Sequence, residues 1–259
     1  MLKQLAMGSI RRVASLFGFE VYRTGTHARL SQGIGSLDKL LRTIARAGVQ
    51  PECILDVGAN KTNWSRVAAN VFPNARFILI EPQQEMLPNL KAFCAEHPNS
   101  RYVLAGAGAQ PGELVQTIWD DLEGSSFLPP TDASKAGKQR KTPIVTIDSV
   151  LEEEKYIPAV TKLDIQGFEL EALKGASKLF GQTECFILEV SLHEYVRGMP
   201  SPYQVIEFMH QRGYEVYDIC DYSHRPLDGA LGQMDIGFGR VQGKLFADRR
   251  WASNEAAPG

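Results

Sequence analysis

Short apolar segments alternate with helical patterns along most of this chain from residue 53 onward. Helical periodicity lies near residues 63–71, 83–96, 168–180 and 202–212. Strands separated by helices are typical of βαβ crossovers, which build a parallel sheet that is covered on both faces. The pattern therefore predicts a doubly wound, mostly parallel α/β sheet. Its predicted strands are Cys53–Val57, Arg76–Ile80, Arg101–Ala105, Val160–Ile165 and Cys185–Val190.

Three features interrupt this alternation. Glu113–Trp119 and Pro143–Ile147 have the composition of additional strands, and residues 120–141 between them are rich in Gly, Pro, Ser, Asp and Lys. A loop of that length inside one domain is usually a lid, a binding loop or disordered. Near the end of the chain, Tyr214–Tyr217 and Met234–Arg240 are predicted to close the sheet.

The N-terminal region is predicted to be a helical extension, residues 1–50, ahead of a domain at 51–245 and a tail at 246–259. Residues 1–17 place apolar side chains on one side of a helix, which either docks on the core or contacts a membrane surface or partner. A second helix is predicted with Ser36 as its N-cap. Its apolar face contains Leu37, Leu40, Leu41 and Ile44.

Composition and charge narrow the class of protein. The net charge of −2 argues against nucleic-acid binding, since neutralising phosphates needs a basic surface. Residues 1–30 differ, with five basic residues and one acidic residue, which keeps peripheral membrane contact open as an alternative.

The four cysteines form no CxxC pair and are expected to be reduced thiols. No apolar run approaches the roughly 18 residues of a membrane span, and we expect a cytoplasmic protein.

A ligand site is predicted where the strand Cys53–Val57 runs into a tight turn and then a helix. Ligands of doubly wound sheets bind at such turns, outside the carboxyl ends of the strands. Gly58 permits a close backbone approach or a positive φ, and the free N–H groups of the following helix attract anions. The next strand is followed by Glu81, whose carboxylate can accept both hydroxyl protons of a ribose.

The lack of a GxGxxG motif limits which nucleotide this pocket suits. Such a motif lets the backbone approach a pyrophosphate, and no glycine occurs between Gly58 and Glu81, which disfavours an NAD-dependent dehydrogenase. A nucleoside with one small anion fits better, and S-adenosylmethionine is such a ligand. The alternative is that Asp56 merely caps a helix and Glu81 is solvated. The predicted cofactor-binding residues are Asp56, Gly58, Asn60, Glu81 and Ala107.

A second site is predicted at the end of the strand Val160–Ile165. Lys162 and Asp164 are two residues apart and so share one face of the strand. A buried strand seldom tolerates charge, so these side chains should pair with each other or with a ligand. The alternatives are an ion-pair network that only holds the strand ends together, and a divalent ion at Asp164, Glu189 and His193; we predict no metal. The predicted catalytic residues are Lys162, Asp164, Glu169, Glu189 and His193, with Asp164 and His193 as the candidate bases.

Several short runs between residues 53 and 240 together resemble the FkbM family of methyltransferases. Lys-Leu-Asp-Ile-Gln-Gly-Phe-Glu at 162–169 is the most specific of them. The resemblance implies a class I methyltransferase sheet, which is Rossmann-like, with an antiparallel final strand. It also implies O-methylation, often of sugar hydroxyls in glycans, glycolipids or secondary metabolites. The other runs are Asp-Val-Gly-Ala-Asn at 56–60, Glu81-Pro82, Gly-Ser-Ser at 124–126, Thr-Ile-Asp at 146–148 and Leu-Glu at 188–189.

One position departs from the pattern of that family. The family usually continues Asp-Val-Gly-Ala-Asn-x-Gly, whereas Thr62 stands in place of the last glycine. If the glycine needs a positive φ, threonine is a poor substitute. This departure and the basic N-terminus motivate an alternative function, a cofactor-binding pseudoenzyme or partner-binding module without turnover. For an enzyme, we expect a small-molecule or glycan acceptor, recognised by residues 120–141 and the C-terminal segments.

Overall fold

Ten strands form two sheets in the computed structural model, which describes residues 35–120, 122–131, 137–152 and 154–250. The larger sheet has seven strands and the smaller one has three. In chain order, the strands are β1 (Cys53–Val57), β2 (Arg76–Ile80), β3 (Arg101–Val103), β4 (Gly106–Ala107), β5 (Gly112–Ile118), β6 (Lys138–Val145), β7 (Val160–Leu163), β8 (Cys185–Ser191), β9 (Tyr214–His224) and β10 (Leu231–Arg240).

The strand order of the larger sheet is β3–β2–β1–β7–β8–β10–β9. Its first five strands are parallel, while β10 runs antiparallel to both β8 and β9. The predicted doubly wound sheet with an antiparallel C-terminal strand is therefore confirmed. The smaller sheet, in the order β4–β6–β5, contains the additional strands that interrupt the alternation.

Helices cover both faces of the larger sheet because each presents one apolar stripe to it. Of the helices in the described residues, three pack on one face with residues such as Leu41, Ala68 and Phe93, and three pack on the opposite face with residues such as Ala172 and Met209. The helices are α1 (Leu37–Arg46), α2 (Asn63–Val71), α3 (Leu87–Glu96), α4 (Ile147–Val150), α5 (Glu169–Lys174) and α6 (Pro202–His210), with short 3-10 turns at Gln84–Met86, Ser177–Leu179 and Lys244–Phe246. Within the described residues, no helix has the length and apolarity that crossing a membrane requires.

The chain reverses its direction of winding between β1 and β7, and a crevice opens at such a switch point. Gly58 follows β1 there with φ 84°, and a Cβ on this residue would lie 1.9 Å from the carbonyl oxygen of Asp164. The Asp164 N–H in turn donates to the carbonyl oxygen of Val57 at 3.0 Å. Only glycine permits this close approach of the two strand ends.

Most predicted elements are present, and the differences fall where one side of a strand faces water. The structure confirms β1, β2, α1 with its Ser36 cap and the helix at 63–71. The prediction of a strand at Pro143–Ile147 was wrong at both ends, because β6 begins at Lys138 and Ile147 starts α4. The predicted helix at 1–17 lies outside the described residues.

Candidate active site

A cleft of about 680 Å³ lies at the carboxyl ends of the central strands. Its lining comes from the turns after β1, β2 and β7, the end of β8, segment 122–127 and the hairpin of β9 and β10. The cleft thus brings together residues from both predicted sites. The predicted residues in its lining are Gly58, Asn60, Glu81, Ala107, Lys162, Asp164 and Glu189.

Glu81 is the buried carboxylate at one end of the cleft. Its residue is only 2% exposed, and its two oxygens accept N–H bonds from Asn60 at 2.8 Å and Gln83 at 2.9 Å. Burial raises the pKa of Glu81 to about 7, although these hydrogen bonds act to lower it. Each oxygen carries further lone pairs, so the carboxylate can still accept hydrogen bonds from ligand hydroxyls.

Asp56 lies below the cleft rather than in its lining. The Ser65 hydroxyl donates to one carboxylate oxygen, and the other oxygen is buried with no hydrogen-bond partner among the described residues. Burial raises the pKa of Asp56 to about 6, against the lowering effect of Lys162, its neighbour in register on β7. Asp56 therefore adds negative charge beneath the cleft.

Lys162 and Asp164 form an ion pair at the end of β7. The Lys162 Nζ lies 2.7 Å from Asp164 Oδ2, and the two side chains are 5% and 32% exposed. Burial alone would lower the pKa of Lys162, but the carboxylates around it raise that pKa above its ordinary value. Burial alone would likewise raise the pKa of Asp164, and Lys162 lowers it. The pair is therefore charged, with the carboxylate as the more accessible partner.

Gln166 joins this pair to the next strand. Its Nε2 donates to Asp164 Oδ1 at 3.0 Å and to Glu189 Oε2 at 2.7 Å, and its Oε1 accepts the Tyr195 hydroxyl. Burial, together with the charge of Asp164, raises the pKa of Glu189 well above its ordinary range. Of these two groups, Asp164 is therefore the stronger acid.

Two predicted catalytic residues, Glu169 and His193, are not among the residues that line the cleft. Glu169 is buried at the start of α5, where one oxygen accepts the N–H groups of Ile165 at 2.9 Å and Gly167 at 3.2 Å. It thereby holds the turn that carries Gln166. Within the described residues, no three His, Cys, Asp or Glu side chains are grouped as a metal site would require.

Comparison with known proteins identifies the family. A family model described as the methyltransferase FkbM domain matches residues 56–216, more than half of the chain. This chain belongs to the FkbM methyltransferase family. Membership confirms the resemblance inferred from the motifs, and with it S-adenosylmethionine as the cofactor. No curated protein sequence matches the chain.

Solved structures with a similar arrangement include the methyltransferase FkbM from Methylobacillus flagellatus KT, with 16% identity and a TM-score of 0.49 over 80% of this chain. The match covers 49% of that protein, so this chain spans about half its length. Fibrillarin from Aeropyrum pernix, solved with S-adenosyl-L-methionine, has 12% identity and a TM-score of 0.41, over 78% of this chain and 76% of its own. The 1,6-didemethyltoxoflavin-N1-methyltransferase of Burkholderia thailandensis, solved with S-adenosylhomocysteine, has 9% identity and a TM-score of 0.42, over 79% and 76% of the two chains.

The departure from the FkbM pattern at Thr62 falls on a strained backbone position. Thr62 has φ 64°, in the left-handed region that disfavours β-branched residues. Its hydroxyl is buried without a hydrogen-bond partner among the described residues. The side chain does not line the cleft, although its neighbours Lys61 and Asn63 do. The threonine thus strains the turn without filling the ligand space.

Segment 122–127, which contains the Gly-Ser-Ser run of the family, forms one wall of the cleft and is tied to both of its ends. The Leu122 carbonyl accepts the Gln83 amide at 2.9 Å, and Lys61 pairs with Glu123 at 2.8 Å. At the other end, the Ser126 hydroxyl donates to the carbonyl oxygen of Gln166 at 2.8 Å. This wall therefore links the turn beside Glu81 to the turn after β7.

Sequence reasoning missed several residues of the lining, among them Gln166, Asp221 and Asp235. Gln166 lies inside the Lys-x-Asp-x-x-Gly-x-Glu run, so its proximity to Asp164 was available as a signal. Asp235 interrupts an apolar stretch of β10, and a lone buried acid of this kind is a signal for a site. Its position opposite Glu189 depends on strand pairing, which is not local in sequence.

Proposed function

We propose that this chain transfers the methyl group of S-adenosylmethionine to a hydroxyl group of a sugar, glycolipid or secondary metabolite. The observation that carries the proposal is the buried Lys162–Asp164 pair, which lines the same cleft as the Glu81 carboxylate. Glu81 can thus bind the nucleoside of the cofactor while Asp164 contacts the acceptor.

The residues at the Glu81 end fit the cofactor. Glu81 is buried, lines the cleft and retains acceptor capacity for a ribose diol. The Asn60 side-chain oxygen is buried with no partner among the described residues, so it can accept a hydrogen bond from a ligand. Gly58 and Ala107 line the cleft beside them. We assign these residues to cofactor binding, with Asp56 supporting the turn from below.

The chemistry at the other end follows from the charges of the chain's own residues. The bound cofactor supplies an electrophilic methyl group on a sulfonium, so the protein must mainly align the acceptor and exclude water. Asp164 is ionised and partly accessible, which suits it to accept the hydroxyl proton. Lys162 keeps Asp164 ionised, and Gln166 and Glu189 fix its orientation. His193 does not line the cleft, so we assign the base to Asp164.

The charge of the cleft favours a small molecule or glycan over a nucleic acid as the acceptor. Both lysines of its lining, Lys61 and Lys162, are already paired with carboxylates. Phosphate binding requires available cations.

Transfer of an isotopically labelled methyl group tests the proposal. The protein is incubated with labelled S-adenosylmethionine and, separately, with glycan, glycolipid and small-metabolite fractions, and the product is analysed by mass spectrometry and NMR. We expect a methyl ether carbon. A label on nitrogen or carbon would contradict O-methylation. Cofactor binding without any transfer would favour the pseudoenzyme.

A further inference from the structure

Asp235 is a buried carboxylate without a direct hydrogen-bonding or ion-pair partner in the part of the chain that the structure describes. The residue is 7% exposed and lines the cleft from β10, where it pairs in register with Glu189 on β8 and Cys220 on β9. Among the described residues, no donor hydrogen-bonds its carboxylate and no cation forms an ion pair with it. An ionised group in such a place is costly unless a partner arrives from outside the protein.

A second carboxylate lies beside it. Asp221 follows Cys220 on β9 and lines the same part of the cleft, with Ser223 and Gln233 nearby in the lining. Its backbone is held at φ 44° while its N–H donates to the Gly35 carbonyl oxygen at 2.6 Å. Burial raises the pKa of Asp235 to about 7, and the charge of Asp221 adds to that effect. The hairpin thus concentrates negative charge.

The rest of the lining does not neutralise this charge. Its two lysines pair with other acids, Lys61 with Glu123 and Lys162 with Asp164. Lys162 attracts Asp235 only through space, without an ion pair. Carboxylates outnumber cations in the lining, which contains Glu81, Glu123, Asp164, Glu189, Asp221 and Asp235 against Lys61 and Lys162.

The position of Asp235 separates it from the cofactor end. In the order β2–β1–β7–β8–β10, its strand lies three places from β1 and four from β2. Neighbouring strands are about 4.8 Å apart, which places β10 roughly 14 Å from β1 and roughly 19 Å from β2. A ribose at Glu81 and a group at Asp235 therefore belong to different parts of the ligand space.

We propose that Asp235 and Asp221 form an acceptor subsite for a protonated amine, so that the acceptor carries an amino group as well as the hydroxyl that is methylated. This inference rests on the proposed function, because Asp164 must reach that hydroxyl. Charge-assisted hydrogen bonds from an ammonium group satisfy the buried carboxylate, and its negative charge rejects phosphorylated acceptors.

Three probes that share one sugar ring test the subsite: glucosamine, methyl glucoside and glucose 6-phosphate. Their binding is measured by ligand-detected NMR on full-length protein saturated with S-adenosylhomocysteine. We expect glucosamine to bind most tightly and glucose 6-phosphate most weakly. Asp235→Asn should weaken glucosamine binding about tenfold or more, with methyl glucoside and S-adenosylhomocysteine unchanged.

Two further variants keep the test decisive. Asp221→Asn alters an exposed residue and should weaken glucosamine binding even if Asp235→Asn folds poorly. Asp228→Asn, on the same hairpin and outside the cleft lining, should change nothing. Equal binding of glucosamine and methyl glucoside, or binding of no probe, would overturn the subsite. Loss of S-adenosylhomocysteine affinity in Asp235→Asn would assign the carboxylate to the cofactor instead. A wild-type protein that binds glucosamine but no cofactor would refute the proposed function and leave the subsite standing.

Discussion

Lys162 Nζ and Asp164 Oδ2 lie 2.7 Å apart at the end of a parallel strand, with the lysine almost fully buried and the aspartate partly accessible. Breaking a buried pair from one side leaves an uncompensated charge. Here Asp56 and Asp235 also attract Lys162, so the positive charge of Lys162 is stabilised by more than Asp164. The pair can therefore be tested for catalysis with less risk to the fold than an isolated pair.

Glu81→Gln should weaken the binding of S-adenosylmethionine. The amide keeps the shape of the side chain, but it removes the charged acceptor of the ribose hydroxyls and one of the two acceptors of the Asn60 and Gln83 N–H groups, a loss of about 1.5–3 kcal/mol. Isothermal calorimetry measures the change. Glu85→Gln is the matched control, because Glu85 pairs with Arg140 outside the cleft lining. Unchanged affinity in Glu81→Gln would remove Glu81 from the cofactor site.

The raised pKa of Glu81 predicts that cofactor binding depends on pH. Burial raises the pKa of Glu81 to about 7, and ribose hydroxyls favour the ionised form because both of its oxygens accept hydrogen bonds. Affinity should therefore fall as the pH is lowered through about 7. Asp56 and Asp235 also have raised pKa values, so the informative comparison is with Glu81→Gln, in which the slope should become shallower. An identical slope in wild type and variant would contradict this role.

The elements that the sequence predicted best are those whose environment is uniform. Strands β1 and β2 are buried on both faces, so their apolar runs begin and end where the strands do. β9 is an edge strand and exposes Asp221 and Tyr222. Its predicted range, Tyr214–Tyr217, covers only the first part of its 11 residues. β6 starts with the polar run Lys138–Lys141, which resembles a loop until its pairing with β5 is known.

The residues of the candidate site could likewise be predicted only in part. Residues within one motif, such as Lys162 and Asp164, share a strand face because of their spacing, and this much could be predicted. The separation of Glu169 and His193 from the cleft lining could not be predicted, since it depends on how the chain folds after β7 and after β8. Asp235 joins the site only through its register with Glu189.

Thr62→Gly should stabilise the protein and should hold or improve cofactor affinity. Glycine removes the strain of a β-branched residue at φ 64° and a buried hydroxyl without a partner. After the entropy that glycine adds to the unfolded chain, we expect a net gain of about 1 kcal/mol. Denaturant unfolding measures it. Thr62→Ala removes the hydroxyl but keeps the strain, so it should gain less. A large loss of affinity in Thr62→Gly would mean that Thr62 makes a productive contact.

Glu169→Gln tests whether Glu169 acts through the backbone of the turn. Burial raises the pKa of Glu169 to about 7, so the folded protein binds a proton that the unfolded chain releases near pH 4.3. Wild-type stability should therefore decrease as the pH rises from about 4.3 to 7, and level off above that range. The glutamine still accepts the two N–H bonds and does not ionise. Other buried carboxyls, among them Glu81 and Asp235, have raised pKa values too, so we expect a shallower slope in the variant, with activity retained. A fall of about 100-fold in turnover would restore a catalytic role.

Deletion of residues 1–30 should leave the methyltransferase domain folded, because the sheet begins at Cys53 and α1 at Leu37. Circular dichroism and sedimentation with anionic vesicles compare the truncated and full-length proteins. If the truncated protein stays soluble but no longer sediments with vesicles, the amphipathic segment 1–17 is a membrane contact. An insoluble truncated protein would instead show that this segment packs on the core.

The most direct test of the account is Asp164→Asn, which keeps the shape of the side chain and removes its charge. Single-turnover methyl transfer, the melting temperature and S-adenosylhomocysteine affinity are measured on one preparation, with Asp228→Asn as the exposed control. We predict that the rate falls by about 100-fold or more while cofactor affinity stays unchanged. A purely structural pair would lower the melting temperature, and the rate would fall only with the folded fraction. A folded Asp164→Asn protein that transfers methyl groups at the wild-type rate would contradict the assignment of this pair as the catalytic centre.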